Sequence, residues 1–270
     1  MKVTGDDSSF PVNSILRMIV LKIKKLVRSF GKKIVGLIYN SPTISFSVND
    51  VPRNKDRDES DYYTKRFWTR HINSPSDLSV IYRVKDGEDF LLLSMNSILG
   101  LASEIIVIDN GSTDSTAKLV KEFSEKNKSK CIVKYVYDNR NLARAGKGYI
   151  DKVNENPELS LAKFYTDCFL MGNSKYLMKM DAHYILLPHA IDAIKKKLEG
   201  SPSRIRLFIR DVFGRQHGFE PLIFINDNRW KFEDVELFEK LILPKDNKFK
   251  IPHSVILRTS ILHVKRLCQK

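Results

Sequence analysis

At 270 residues, with 42% hydrophobic and 29% charged residues, the chain is long enough for one sizeable domain plus an appendage or for two small domains, and its composition excludes disorder throughout. Its net charge of +14 is concentrated at the ends: residues 1–40 carry +6 and residues 244–270 another +6, leaving +2 on residues 41–243. Terminal basicity suits docking on an anionic surface and argues against a nucleic-acid partner, which calls for aromatic residues interleaved with the charge.

From Ser14 to Tyr39 apolar residues recur at Ile15, Ile19, Ile23, Leu26/Val27, Phe30, Ile34 and Leu37/Ile38, with seven Lys and Arg residues largely between them. This spacing predicts a basic amphipathic helix over residues 1–40, suited either to an anionic membrane interface or to packing on the catalytic domain or a second subunit of a homo-oligomer. Residues 41–76, dense in Pro, Ser, Asn and mixed charge, read as a linker whose aromatic island (Tyr62, Tyr63, Phe67, Trp68) packs on the domain that follows. No run approaches the roughly 18 apolar residues of a spanning helix. The start lacks a signal-peptide layout. Cys131, Cys168 and Cys268 are too scattered for a disulfide framework and fit a reducing compartment, so the expected location is cytoplasmic, peripheral on the cytoplasmic face of a membrane.

Beyond the linker, strand and helix patterns alternate through residues 77–270. Strands are predicted over 78–84, 104–109, 131–137, 176–180, 204–213 and 221–225. Helices are predicted over 88–101, 115–126, 159–171, from Pro188 onward and over 229–243. Such alternation specifies an α/β fold, a Rossmann-like, mainly parallel sheet flanked by helices, that opens with a nucleotide-binding βαβαβ half.

Three stretches can carry chemistry. In the first, the apolar run from Glu104 to Asp109 enters an Asn-Gly-Ser-Thr-Asp turn at a strand's carboxyl end, where open α/β sheets bind ligands; satisfaction of local backbone donors is the competing reading. In the second, Asp181-Ala-His183, a strand delivers an acid and a second ligand to one point. A divalent ion there would neutralise a leaving diphosphate, and the imidazole tips the choice from Mg²⁺ toward Mn²⁺; a plain surface turn is the alternative. In the third, Trp230–Lys240, Glu233 and Asp234 fall in the first turn of the predicted helix. They either complement its dipole or provide, in Asp234, a general base.

Together with Leu78-Ser-Val-Ile-Tyr-Arg-Val-Lys-Asp-Gly-Glu-Asp-Phe-Leu and Asn139-Arg-Asn-Leu-Ala-Arg-Ala-Gly-Lys-Gly, these blocks resemble, over about residues 77–265, the family 2 glycosyltransferases of GT-A fold. The resemblance implies an inverting transfer from a nucleotide-sugar donor, UDP-linked by default, to a lipid-linked or cell-surface glycan acceptor, as in polysaccharide biosynthesis. It also implies that Tyr82 and Arg83 line the base and ribose, that Asp109 hydrogen-bonds the nucleoside, and that Arg144 and Lys147 approach the donor. Asp181 would bind ribose and metal, His183 and His263 (in preference to His253) would complete a Mn²⁺ or Mg²⁺ site, and Asp234 would be the base. The family writes Asp-x-Asp where this chain has Asp181-Ala-His183. No Gln-x-x-Arg-Trp of the processive synthases is present, which favours one sugar per encounter. A non-catalytic nucleotide-sugar-binding or scaffold relative in a glycan-assembly complex is the alternative; a nucleotidyltransferase would need a better phosphate loop after its first strand.

Overall fold

The first predicted strand forms, and its burial explains its composition. In β1 (Ser76–Val84), Leu78, Val80, Tyr82 and Val84 point to one face of the sheet and Ile81 to the other, all buried. Both faces are covered, so the strand reads as an unbroken apolar run. The same holds for β2 (Ala102–Asp109), where Ile105 and Val107 join one core and Ile106 and Ile108 the other. The computed structural model describes residues 75–211, 217–245 and 254–265. The expectations for residues 1–74, His253 and Cys268 lie outside that range.

Helices α1 (Leu91–Ile98) and α2 (Thr116–Asn127), strand β3 (Ile132–Tyr137), helices α3 (Tyr149–Glu155) and α4 (Leu161–Leu170), strands β4 (Tyr176–Met180) and β5 (Tyr184–Leu186), and helix α5 (Pro188–Glu199) follow in order. Strands β6 (Arg204–Asp211), β7 (His217–Ile225), β8 (Lys231–Asp234), β9 (Glu239–Ile242) and β10 (Val255–His263) complete the described chain. The main sheet runs β3-β2-β1-β4-β7-β6-β10-β5. Neighbours β3, β2, β1 and β4 are mutually parallel, β7 is antiparallel to β4 and β6, and β10 is parallel to β6. The expected α/β architecture with a mainly parallel sheet is therefore observed. No described helix is long and apolar enough to cross a membrane.

The chain winds outward from β1 through β2 to β3, then returns to place β4 on the other side of β1. Strand order thus reverses between β1 and β4, and a crevice opens outside their carboxyl ends.

One element differs in kind. Residues 229–243 form a two-stranded antiparallel hairpin, β8 with β9, instead of a helix. The operative period is two: Trp230 and Phe232 are buried while Lys231 and Glu233 are exposed. Both rings pack on α4 and β7, with ring centroids 5.1 Å apart for Phe169–Phe232 and 5.9 Å for Phe224–Trp230. The helical reading needed Leu237 and Phe238 on a buried side, but both are exposed at the hairpin tip. Elements α3, β5 and β10 were not foreseen.

Candidate active site

Arg83 and Asp181 mark the switch point. Arg83, the penultimate residue of β1, lies on the face opposite Tyr82, and its Nη2 donates to Asp181 Oδ1 at 3.0 Å. The guanidinium lies 3.9 Å from the Tyr165 ring centroid, a stacking geometry that favours arginine over lysine. Its Nε and Nη1 are buried with no hydrogen-bond acceptor among the described residues. Burial alone would push the Asp181 carboxyl up; attraction to Arg83, Lys179 and the two nearby histidines outweighs it and holds the group below the usual carboxylate range.

These side chains wall a cleft of about 430 Å³, lined also by Lys85, Asp86 and His183. A larger depression of about 830 Å³ lies at the opposite ends of the strands, between Lys196, Lys197, Ser201, Ile225 and Arg229. Its described lining residues include no carboxylate or imidazole.

His183 leaves the turn after β4, its Nε2 3.8 Å from Asp181 Oδ2. Burial lowers its pKa to about 4, so the ring is neutral at pH 7, the form that ligates metal. His263, at the end of β10, sits against the same ring with centroids 4.7 Å apart, and its Nδ1 lies 3.6 Å from Asp211 Oδ2. Asp181 and His183 are spaced so that one ion at about 2.1 Å from each would fit between them. Among the described residues no three His, Cys, Asp or Glu side chains form a metal cage.

The other expected site residues are dispersed. Tyr82 is wholly buried under α1, hydrogen-bonded to Ser94 Oγ at 2.9 Å; it faces the core, because alternate residues of a strand take opposite faces. Asp109, almost completely buried at the end of β2, accepts from the Ser112 amide and the Tyr135 hydroxyl, each at 2.7 Å. The turn that follows braces neighbouring loops. Ser112 Oγ accepts from the Asp86 amide, Asp114 from the Glu88 amide and Thr116 Oγ1 from the Gly87 amide, each at 2.8 Å, while Asn110 Nδ2 donates to the Asp138 and Arg140 carbonyls. The loop flanking the cleft is thereby fixed to the turn the sequence singled out. Arg144 and Lys147 are exposed on the segment between β3 and α3.

Asp234 lies on β8 with its oxygens engaged. Oδ1 accepts from the Tyr149 hydroxyl and the Ala162 amide, the latter at 3.0 Å, and Oδ2 from the Ser160 hydroxyl at 2.6 Å. Three donors from α3 and the start of α4 thus clamp the hairpin.

Residues 79–264 match the family model described as Glycosyl transferase family 2, more than half of the chain. This chain belongs to glycosyl transferase family 2. A curated relative, an uncharacterized protein of Methanocaldococcus jannaschii, is 31% identical over 112 residues, which is 42% of each chain, so this chain spans under half of that relative. Among solved structures, S. aureus TarS 1-349 in complex with UDP-GlcNAc aligns at 17% identity over 70% of this chain and 58% of its own, with a TM-score of 0.45. The mannosyltransferase PcManGT of Pyrobaculum calidifontis, in complex with GDP-Man and Mn²⁺, aligns at 16% identity over 57% of this chain and 41% of its own, with a TM-score of 0.36.

In this member of family 2, the residues that connect the parts of the site were not legible in the sequence. Tyr165, a cleft residue, supports Arg83 with its ring. Tyr149 and Ser160 hold Asp234 from segments more than 70 residues away. No local pattern announces such contacts. Arg140, in the segment from Asn139 to Gly148, is tied to Asp138 and Asp167 and lies over Phe164, which holds that segment against α4.

Proposed function

We propose that this glycosyltransferase moves a sugar from a nucleotide donor, UDP-linked by default, to a lipid-linked or cell-surface glycan acceptor, with inversion and one sugar per encounter. The observation that supports this most is the Arg83–Asp181 pair at the β1–β4 switch point, its guanidinium buried and its carboxylate facing a cleft with neutral His183 alongside. Arg83 brings two N–H groups in need of acceptors, which phosphate or ribose oxygens supply. Asp181 and His183 would hold a Mn²⁺ or Mg²⁺ ion, which when bound neutralises charge developing on the leaving diphosphate. His263 supports His183 by ring packing. Arg144 and Lys147, exposed and cationic, are proposed to meet the donor as it enters.

A thermal-shift and hydrolysis screen of UDP-, GDP- and other nucleotide sugars with Mn²⁺ tests the reading. A donor present at a hundred times its Kd raises stability by about 2.7 kcal/mol. Asp181→Ala should abolish that shift and lower turnover by orders of magnitude; a variant that keeps full activity refutes the assignment. The engaged carboxylate of Asp234 favours a second reading, a nucleotide-sugar-binding scaffold without catalysis. Calorimetry with UDP, with and without Mn²⁺, separates the two, since a scaffold releases no sugar from the donor.

A further inference from the structure

We propose that Glu239 is the carboxylate that takes the acceptor's proton, and that Asp234, expected in that role, is the positioning residue that aims it; the inference rests on the glycosyl-transfer reading above. A base needs an oxygen lone pair open to the incoming hydroxyl. Asp234 accepts three hydrogen bonds, two on Oδ1 and one on Oδ2, all from protein groups that fasten β8 to α3 and α4, which leaves about one of its four lone-pair sites open, on an oxygen already held by Ser160.

Glu239 is its direct partner across the hairpin. Opposed residues of an antiparallel pair project from the same face, and two carboxylates so placed repel each other. Each is accommodated by its own donors. Those of Asp234 are structural. Glu239 instead faces the cleft: Lys179 Nζ stands 4.0 Å from Oε1, at the outer limit of an ion pair, and the carboxylate is close enough to Arg83 and Tyr165 to act on both electrostatically. The Tyr165 ring carries Arg83, Arg83 holds Asp181, and Lys179 precedes Asp181 by two residues on β4. Glu239 therefore stands one side chain from the wall that receives the donor. Its own side chain is 10% exposed, enclosed yet reachable.

The acceptor side is also marked. Leu237 and Phe238 project exposed from the hairpin tip just before Glu239, and the Gly146 amide donates to the Leu237 carbonyl at 2.7 Å, pinning the tip to the loop before α3. An apolar ledge beside a carboxylate suits the face of a sugar ring or the first carbons of a lipid-linked acceptor. In the step itself the acceptor hydroxyl gives its proton to a Glu239 oxygen while its own oxygen bonds to the anomeric carbon. The bond from that carbon to the diphosphate oxygen breaks, and its electron pair leaves with the diphosphate.

The test uses the full chain in four forms: wild type, Glu239→Gln, Glu239→Asp and Asp234→Asn. Melting temperature, UDP affinity by calorimetry, and kcat and KM for UDP release across a panel of UDP-sugars are read for each. Glu239→Gln should melt and bind UDP as wild type does, with donor KM little changed and kcat reduced about 100- to 10,000-fold. Glu239→Asp, which keeps a carboxylate on a shorter arm, should recover part of that loss. Asp234→Asn should melt lower, because an amide cannot accept all three bonds, yet keep a kcat well above that of Glu239→Gln. A Glu239→Gln protein within threefold of wild-type kcat overturns the proposal, as does an Asp234→Asn protein that is stable, binds UDP normally and is the more impaired of the two. A wild type that binds UDP but releases none from any donor leaves Glu239 no proton to take and overturns the proposal in favour of the scaffold reading. One that neither binds UDP nor turns over refutes the donor assignment as well.

Discussion

Arg83→Met removes a guanidinium whose surroundings are well enough defined to size the loss. Its side chain is 5% exposed, sits on the Tyr165 ring and donates to Asp181 at 3.0 Å. Removing one member of a buried ion pair costs about 3–5 kcal/mol, since the remaining charge is left without compensation. Asp181 is 28% exposed, so water takes up part of that charge and the lower part of the range applies, about 2–4 kcal/mol. At roughly 2–4 °C per kcal/mol for a folded unit of this size, the melting temperature should fall by about 5–15 °C. Asp181→Asn, measured alongside, leaves Arg83 with a neutral neighbour and should also destabilise. Because the two share one interaction, Arg83→Met/Asp181→Asn should lose at least about 1 kcal/mol less than the two single changes combined. Urea or thermal unfolding of the four proteins closes the cycle. Losses additive within about 0.5 kcal/mol, or an Arg83→Met protein as stable as wild type, would show that the pair does not hold the switch point together.

Three other outcomes are expected. Glu104, buried at the start of β2, accepts from Lys134 and Ser79, each at 2.5 Å, and from Asn173; burial pushes its carboxyl up, but these partners outweigh it and hold the pKa below the usual range. Its contribution is therefore complete above the ordinary glutamate pKa and is lost as pH falls through the lower folded value, so a Glu104→Gln deficit of about 1–3 kcal/mol at pH 7 should shrink on acidification below about pH 4 in chemical-denaturation curves. Gly111 holds φ at +71° with open space where a Cβ would stand, so Gly111→Ala should cost about 1–2 kcal/mol from backbone strain alone, and Gly111→Asn less. If residues 14–39 form the membrane-facing helix their spacing implies, the protein should co-sediment with liposomes containing anionic lipid, less so in high salt; sedimentation that survives deletion of residues 1–40 refutes that assignment.

Strands β1, β2 and β4 were legible because two-sided burial leaves an unbroken run of Val, Ile, Leu and Met, and α2 and α5 because one buried stripe repeats at helical spacing. The same two-sided burial hid which of Tyr82 and Arg83 faces the cleft: alternation says they differ, but with apolar cover on both faces it does not say which is which. The hairpin was obscured by its own composition. Phe232, Val235 and Phe238 recur every three residues among Glu, Lys and Leu, which favour helix, while the pair that anchors the segment, Trp230 and Phe232, alternates over too short a span to compete. Tertiary packing on Phe169 and Phe224 decided it.

That decision changes the site's chemistry. On a helix, residues five apart point about 140° away from each other, so Asp234 facing the crevice would turn the carboxylate at position 239 from it. On the hairpin the four residues of the turn, closed by the Val235 amide on the Phe238 carbonyl at 2.9 Å, set Asp234 and Glu239 side by side on one face. One carboxylate can then be spent on fastening the ribbon to Tyr149, Ser160 and Ala162 while the other meets Lys179 beside the cleft. The resemblance that assigned the base by its place in Phe232-Glu-Asp-Val-Glu-Leu was read through helical geometry. With strand geometry, the acid five residues later shares the face of Asp234, and the donors around the two distinguish an anchor from a base.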